Sequence, residues 1–175
     1  HLVIRRQRQM CIRDSMNTFE SLGAEKFMSE ALRVGLDGLL IVDMPPEESS
    51  DFTQQAKKND IDIIRLIAPT TSLDRASNIC SKSSGYVYYI SVKGITGAAN
   101  LDSADAKQKV QELKGLTELP VVIGFGIKDA QSAISVKDAA DGVVVGSVFV
   151  DLVGEGGDIL EKVTKKTREL SEALS

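Results

Sequence analysis

Two short segments near the carboxyl terminus decide the fold: Val121 to Gly126 reads VVIGFG, and Gly142 to Ser147 reads GVVVGS. Each is a run of mostly β-branched residues that stops at a glycine, with a helix-like segment behind it. Strands buried on both faces, as in parallel sheets covered by helices, have this continuous apolar character. Glycine after such a strand lets backbone N–H groups approach an anion, although it also suits a tight turn. The pair therefore predicts two neighbouring parallel strands whose ends form a phosphate site.

Similar apolar runs recur along the chain. Strands are predicted to start near residues 37, 61, 85, 120 and 141, with a helix-like segment after each. This is the repeat of a β/α unit and predicts an α/β protein with a parallel sheet. The GxGxxG turn that follows the first strand of a Rossmann-type doubly wound sheet is absent, whereas glycines after late strands favour a barrel. Five strands are too few for a closed (β/α)8 barrel, so the expectation is either a five-stranded open sheet or a barrel that lacks its beginning.

Composition sets limits on partners and location. The chain has 175 residues, a net charge of −4 and 42% hydrophobic residues, which fits one globular domain. The mildly acidic balance gives no reason to expect nucleic acid or an anionic membrane as partner, and no apolar run is long enough for a transmembrane helix. The two cysteines lack metal-like spacing, and the single histidine is His1. No metal site is expected, and a reducing cytoplasm is the predicted location.

The first fifteen residues, HLVIRRQRQMCIRDS, differ in character from the rest of the chain. They contain four arginines and show neither a strand period nor a helical stripe. We therefore interpret residues 1–15 as a foreign or misassembled leader and residues 16–175 as the partial barrel domain. A genuine basic arm is the alternative.

Polar and glycine-rich features lie near the predicted strand ends. Ser91 to Asn100 reads SVKGITGAAN, a long connection that either closes over a ligand with its backbone amides or is simply flexible. Tyr88 and Tyr89 follow one another in a strand and must point to opposite faces, so that only one of them faces a ligand. Asp43 ends its strand, where a carboxylate is either catalytic or bound to nearby backbone amides.

The phosphate prediction combines two glycine segments. Gly126 follows Phe125, which would form a wall, and Gly146 with Ser147 opens a short helix whose free N–H groups suit an anion. One β/α unit separates the two segments, so adjacent strands would bring them together.

Five segments, in this order, resemble the tryptophan synthase alpha chain family: IVDMPPEE, LIAPTTSLDR, GYVYYISVKGITGA, PVVIGFGI and ADGVVVGS. The resemblance runs from about Asn17 to the carboxyl terminus. It implies a (β/α)8 TIM barrel that is incomplete here, with about strands 4 to 8 and a short extra helix after the last strand. It also implies a lyase of tryptophan biosynthesis that cleaves indole-3-glycerol phosphate to indole and glyceraldehyde 3-phosphate.

The resemblance implies roles for individual residues. Substrate binding falls to Tyr88 in the pocket, to Thr96 and Gly97 in the mobile loop, and to four residues near the phosphate: Phe125, Gly126, Gly146 and Ser147. Asp43 would position the mobile loops, and Pro45 would lie where the family meets its beta chain. Asn17 matches an asparagine just after the third strand.

The family's glutamate and aspartate that carry the acid–base chemistry fall before Asn17, where this sequence has no counterpart. We therefore assign no catalytic residue and expect this chain to be inactive, and the unclosed barrel to aggregate or loosen. The partner implied is the beta chain, which alone would hold pyridoxal phosphate. Two alternatives stay open: another phosphate-binding barrel enzyme of amino-acid biosynthesis, and a fragment that binds ligand or partner without turnover.

Overall fold

The computed structural model describes residues 23–42, 45, 49–91, 103–124 and 126–175, together with the backbone of Ile12–Asp14; of Ser103 it describes the backbone alone. Six strands form one sheet within these residues, and every neighbouring pair is parallel. They are β1 Ile12–Asp14, β2 Gly38–Ile41, β3 Asp62–Ile67, β4 Val87–Ile90, β5 Val121–Gly124 and β6 Gly142–Val144.

The strand order in the sheet is the strand order in the chain. Each connection thus places the next strand beside the last one, in the same direction, as in a (β/α)8 barrel. A doubly wound sheet would reverse its order at a switch point. With six strands and with β1 and β6 at its edges, the described sheet is an incomplete barrel, as predicted.

Seven helices accompany the strands in the described part of the chain. They are α1 Ala24–Val34, α2 Ser50–Lys58, α3 Leu73–Ser81, α4 Ser103–Lys114, α5 Ala130–Ile134, α6 Ser147–Gly154 and α7 Ile159–Leu174. The short helix directly after the last strand, α6, is the extra helix that was predicted.

Local sequence explains several helix ends. Gly35 ends α1 in the left-handed region, with φ of 77°, where its N–H returns to the last helical carbonyls. The Ser72 hydroxyl accepts a hydrogen bond from the Arg75 backbone N–H at the start of α3. Asp129 and Ser132 form a reciprocal capping box at the start of α5.

Two predictions made from local sequence were wrong. No strand was expected in residues 1–15, yet Ile12–Asp14 pairs with β2, with Ile12 opposite Leu39. Pairing with the open edge of β2 decides this strand, and a three-residue segment has no period to reveal it. Whether residues 1–15 are foreign stays a prediction. Prolines suit the first turn of a helix and acidic residues its positive end, so Pro45-Pro46-Glu47-Glu48 predicts a helix from Pro45 to about Asn59, but α2 begins at Ser50 and ends at Lys58.

The two faces of the sheet are buried to different degrees. On the outer face, Leu39, Ile63, Val87 and Ile123 are fully buried or nearly so, within the clusters that include helix residues. The inner face forms a smaller cluster of Leu40, Ile64 and Tyr88, with half-buried neighbours. Those half-buried residues are Leu66, Tyr86, Ile90 and Val144. The side that would line a closed barrel is therefore only partly covered.

Asp141 links the amino-terminal ends of β5 and β6, opposite the carboxyl ends where the candidate site lies. Its carboxylate accepts hydrogen bonds from the Val121 backbone N–H at 2.8 Å and from Lys114 Nζ at 2.8 Å. Burial alone would raise the pKa of the Asp141 carboxyl, but these two donors together hold it below its ordinary value. Asp141 thus has a structural role at the turn into β6.

Replacing Asp141 by asparagine removes the charged acceptor and should lower the free energy of unfolding by about 1 kcal/mol at pH 7. Because the pKa of Asp141 is depressed in the folded state, the parent should have its full excess of unfolding free energy over Asp141→Asn above about pH 4. This excess should shrink as the pH falls below about 4. Urea titrations of both proteins at pH 7 and pH 3 measure this. An equal difference at both pH values would contradict it.

Tyr89 lies on the outer face and is completely buried. Burial, with the negative charges of Asp105 and Glu112 nearby, raises the pKa of its phenol to about 12. The unfolded phenol titrates near pH 10, so the stability linked to the neutral ring is complete below pH 10 and is lost as the pH rises toward 12.

The Tyr89→Phe variant has no phenol to ionise at this position. Comparing it with the parent therefore isolates the contribution of Tyr89 ionisation to the free energy of unfolding. Between pH 9 and pH 11.5, the parent should lose roughly 2 kcal/mol more of its unfolding free energy than the variant. Urea unfolding followed by circular dichroism at both pH values gives the comparison. Parallel losses in the two proteins would show that Tyr89 ionises normally in the folded state.

Candidate functional site

The carboxyl ends of β5 and β6 lie side by side. In the parallel register Gly124 is opposite Val144, the last residue of β6. Gly126 and Gly146 each follow their paired residue by two positions, so both glycines leave the sheet at the same rim, on neighbouring strands. The expected adjacency of the two strands is thus observed, and the phosphate site built on it stays a prediction.

Backbone geometry requires glycine at position 126. Gly126 has φ of 78°, in the left-handed region that residues with a β-carbon rarely adopt. The turn that it makes leads directly to Ile127, which is buried in the outer core. The turn after β5 is therefore anchored on its far side, while Gly126 itself is half exposed.

The start of α6 offers free hydrogen-bond donors at this rim. Gly146 precedes the helix and its carbonyl accepts the N–H groups of Phe149 at 3.0 Å and Val150 at 3.2 Å. Among the residues that the structure describes, none accepts a hydrogen bond from the backbone N–H of Ser147 or Val148. Ser147 is exposed, and nothing lies within 4 Å of the place where a β-carbon on Gly146 would be. Free amides and the positive end of the helix dipole favour an anion.

Tyr88 closes the inner side of the same corner. Its ring is buried on the inner face beside Leu40 and Ile64, and its hydroxyl lies against Gly124. A β-carbon at position 124 would overlap that hydroxyl, so glycine at 124 makes the space for the tyrosine. Tyr88 and Tyr89 point to opposite faces of the sheet, as predicted. The dependence of Tyr88 on Gly124 was not foreseen, since the pairing of β4 with β5 was needed to reveal it.

Ser91 ties the end of β4 to the end of β5. Its backbone N–H and its Oγ both donate to the Gly124 carbonyl, at 3.0 Å and 2.9 Å. Ser91 is buried and is the last described residue before the Gly-rich connection. It thereby fixes where that connection leaves the sheet. A serine at a strand end was the one signal that local sequence offered for this role.

Several predicted site residues lie outside the described part of the chain. They are Asp43, Thr96, Gly97 and Phe125, and Asn17 is also outside it. Their assigned roles stay predictions. The described residues that were predicted for the phosphate, Gly126, Gly146 and Ser147, follow the carboxyl ends of β5 and β6, and Tyr88, predicted for the pocket, lies in the first half of β4 with its hydroxyl against Gly124 at the end of β5.

Pro45 lies apart from this corner, beside a cavity of about 300 Å³. The cavity opens near the carboxyl ends of β2 and β3, and its lining includes Val42, Leu66, Thr71, Arg75 and Ile90. Pro45 is half-buried. Its predicted role toward a partner chain stays a prediction.

A buried arginine borders the same cavity and was not predicted as a site residue. Arg65, in the middle of β3, is 4% exposed. Its Nε donates to the Lys82 carbonyl at 3.0 Å, and its Nη2 donates to Ser49 Oγ at 2.6 Å and Thr53 Oγ1 at 3.1 Å. These bonds hold the start of α2 against β3. An arginine inside an otherwise apolar strand was the available signal.

Toward the carboxyl ends of the described strands β2 to β6, the inner face of the sheet carries no carboxylate. From the pairing and the alternation along each strand, β2 to β6 direct Leu40, Ile64, Tyr88, Val122 and Val144 inward. Asp62 shares this face only at the lower end of β3, where it is exposed. Within the described residues there is also no cluster suited to a metal ion and no helix long and apolar enough to span a membrane. The described inner face offers apolar surface and a phenol, and no acid–base pair.

Comparisons with known proteins agree on one family. Residues 10–175 match the family model described as tryptophan synthase alpha chain. The alpha chain of Acinetobacter baumannii is 44% identical over 161 residues, which cover 91% of this chain and 60% of that protein. The alpha chain of Halorhodospira halophila is 40% identical over 161 residues, covering 90% of this chain and 59% of the relative. The chain thus spans about three fifths of the length of these curated relatives.

Solved structures give the same result. The tryptophan synthase α2β2 complex of Pyrococcus furiosus matches with a TM-score of 0.83 and 33% identity, over 93% of this chain and 66% of that chain. Tryptophan synthase of Mycobacterium tuberculosis matches with a TM-score of 0.84 and 29% identity, over 94% of this chain and 62% of that chain.

The contact between Tyr88 and Gly124 predicts the effect of Gly124→Ala. The added methyl group must displace the Tyr88 ring, which should cost roughly 1–3 kcal/mol of unfolding free energy. Shortening the tyrosine in a Gly124→Ala, Tyr88→Leu double variant should recover part of this loss, as a double-mutant cycle in urea would show. Gly142→Ala is the matched control, because Gly142 also lies in a strand and a β-carbon there would make only ordinary van der Waals contact with Val122, so the expected change is below about 0.5 kcal/mol. Strictly additive effects at positions 124 and 88 would refute the contact.

Proposed function

Because this chain belongs to the tryptophan synthase alpha chain family, we propose that it forms the phosphate-binding side of a lyase site for indole-3-glycerol phosphate. The observation that carries the proposal is the corner where β5 and β6 end together, with Gly126 on one strand connection and the start of α6 on the other. The reaction is cleavage to indole and glyceraldehyde 3-phosphate, which belongs to tryptophan biosynthesis. The chain spans three fifths of its curated relatives, so the activity proposed is that of the whole protein.

The phosphate group would occupy the corner, with backbone amides as its main ligands. The N–H groups of Gly126, Ser147 and Val148 are the donors that we assign, and Ser147 Oγ is a further one. Backbone amides and a helix dipole hold an anion without a lysine or arginine, which fits a protein with a net charge of −4. Thr96 and Gly97 would close over the phosphate from the connection after β4, and Phe125 would form a wall.

The indole end of the substrate would lie toward the apolar inner face. Tyr88 is the nearest aromatic residue to the phosphate corner on that face, and Leu40 and Ile64 continue the apolar surface beneath it. The corner would bind the phosphate and the inner face would bind the indole, so the bond to be cleaved would be held in place between these two contacts. This contributes orientation and remote binding energy, while the bond chemistry needs proton transfer.

Proton transfer is the part for which the described residues offer no carboxylate pair. Carbon–carbon cleavage of this kind needs two proton transfers. One proton is delivered to the indole ring carbon, and another is removed from a hydroxyl on the substrate's side chain. Acid–base groups contribute roughly 10²–10⁴-fold to such steps. The described inner face has no carboxylate near the corner, and residues 1–15 contain no glutamate. We therefore propose that the 175-residue chain binds the phosphate end of the substrate without turning it over. No bound cofactor is needed for this role.

The proposal extends to a partner and a location. Two of the matching solved structures are tryptophan synthase complexes, one of them described as α2β2. A beta chain carrying pyridoxal phosphate is accordingly the partner we propose, with Asp43 and Pro45 on the side that meets it. The cytoplasm is the proposed location, and the buried, unpaired thiol of Cys80 fits a reducing compartment.

Ser147→Asp tests the phosphate corner without threatening the helix. An aspartate in the first turn stabilises a helix but places a negative charge where phosphate should bind. Isothermal titration of the chain with glycerol 3-phosphate should show binding that weakens at least tenfold in this variant. Ser50→Asp is the matched control, because Ser50 is also the exposed first residue of a helix but follows β2, four strands away from β6 in the sheet.

Equal affinity in the parent and in Ser147→Asp would refute the phosphate assignment. Equal weakening in Ser50→Asp would mean that net charge alone decides the binding.

Incubation of the parent chain with indole-3-glycerol phosphate should release no indole. Release of indole at a steady rate would contradict the proposal that the chain binds the substrate without turning it over.

A further inference from the structure

The sequence contains two Asp–Gly pairs, Asp37–Gly38 and Asp141–Gly142, and in each pair the glycine is the first residue of a strand. Aspartate isomerises most readily when glycine follows it, because glycine has no β-carbon to keep the carboxyl group away from its backbone nitrogen. The chain therefore has two places where the backbone can rearrange chemically without any enzyme.

The rearrangement at Asp141 needs only the two residues and water. The Gly142 amide nitrogen attacks Cγ of the protonated Asp141 carboxyl, the N–Cγ bond forms, and the carboxyl hydroxyl leaves with the amide proton as water. Water then opens the resulting succinimide ring at either carbonyl. Opening at the side-chain carbonyl restores aspartate. Opening at the main-chain carbonyl leaves isoaspartate, in which the backbone runs through the side chain and the mass is unchanged.

Burial does not protect this pair. The Asp141 side chain is 42% exposed, and Gly142 is half-buried. A β-carbon at position 142 would make only ordinary contact with Val122, at 3.6 Å. Water reaches the carboxyl group, and close packing around the glycine does not prevent a ring from forming. Protection must therefore come from the contacts of the carboxylate itself.

Those contacts hold both carboxylate oxygens. Oδ1 of Asp141 accepts a hydrogen bond from Lys114 Nζ on α4, and Oδ2 accepts one from the Val121 backbone N–H at the start of β5, each at 2.8 Å. The Asp141 backbone N–H donates to the Val121 carbonyl at 2.9 Å. We call the two contacts of the carboxylate, from Lys114 and from Val121, the carboxylate clamp.

The clamp opposes the first step of the rearrangement in two ways. One carboxylate oxygen must leave as water, so it must first separate from the donor that holds it. The oxygen leaves only from the protonated carboxyl, and the positive charge of Lys114 favours the ionised form. Both effects keep Asp141 unreactive for as long as the clamp is closed.

We propose that Asp141–Gly142 is a latent site of isoaspartate formation, which Lys114 and the Val121 amide keep unreactive in the folded chain. Isoaspartate at position 141 lengthens the backbone by one carbon directly before β6, which has only three residues. The Val121 N–H then loses its acceptor, and the pairing of β5 with β6 weakens. The clamp thus protects the strand on which the candidate site depends, although isoaspartate formation itself requires no ligand.

An ageing experiment on the full chain tests this. The parent, Lys114→Met and Lys109→Met are incubated at neutral pH, and isoaspartate at positions 141 and 37 is measured by peptide mapping with fragmentation that distinguishes it from aspartate. Lys114→Met removes the donor to Oδ1 and keeps a long aliphatic side chain. Lys109→Met is the matched control, because Lys109 lies on the same helix and pairs with Glu112 at 3.2 Å.

Isoaspartate at position 141 should form roughly tenfold faster in Lys114→Met than in the parent, because a hydrogen bond to a charged group is lost. Lys109→Met should behave like the parent. Position 37 is the internal reference, since β2 lies four strands away from β6 in the sheet. Its rate should be the same in all three proteins, which separates opening of the clamp from general loosening of the fold. In the parent unfolded by guanidinium chloride, position 141 should react at least as fast as in folded Lys114→Met.

Three results would overturn the proposal. They are equal rates at position 141 in the folded and the unfolded parent, no acceleration in Lys114→Met, and an acceleration that is equal at positions 141 and 37. Acceleration at position 141 in Lys109→Met as large as that in Lys114→Met would also refute the role of the clamp. The experiment measures no phosphate binding, so its failure leaves the proposed function untouched.

Discussion

The parallel pairing of β5 with β6 is the constraint on which the candidate site depends. Because Gly124 and Val144 are opposite one another, the chain leaves both strands at the same rim, and the turn at Gly126 and the first turn of α6 follow neighbouring strand ends. Tyr88 and Ser91 reach the same corner from β4, through the space at Gly124 and through its carbonyl oxygen. Three consecutive β/α units thus converge on one small region, and the opposite ends of β5 and β6 are fastened by Asp141.

Features that repeat along the chain, or that depend on a few adjacent residues, could be predicted from the sequence. The strands from β2 to β6, the capping of α3 by Ser72 and the end of α1 at Gly35 all follow from patterns visible within a few residues. Opposite orientations of Tyr88 and Tyr89 follow from the two-residue period of a strand.

Features that depend on distant parts of the chain could not be predicted in this way. The strand Ile12–Asp14 exists because the edge of β2 accepts it, and its own sequence carries no signal. The close contact between Tyr88 and Gly124, which are far apart in sequence, needed the register of two strands. Arg65 lies in a largely apolar strand, and its role depends on Ser49 and Thr53, which precede it by 16 and 12 residues. In each case a tertiary partner, and not a local preference, decides the role of the residue.

The candidate site depends on the order of the strands. Each strand of the described sheet pairs with its neighbour along the chain, so the last three β/α units stay in register. The corner that we propose for phosphate lies within those final units, whereas the proton-transfer groups implied by the family resemblance lie outside them. Binding and chemistry would therefore separate along the chain.

The most direct measurement of the proposed phosphate site is an amide nitrogen–proton correlation spectrum of the chain, recorded during a titration with glycerol 3-phosphate. We predict that the signals of Gly126, Ser147 and Val148 move together along a single saturation curve, with little change at the start of α2. Movement of these signals along different curves, or of the α2 signals in their place, would contradict the assignment of the corner as the phosphate site.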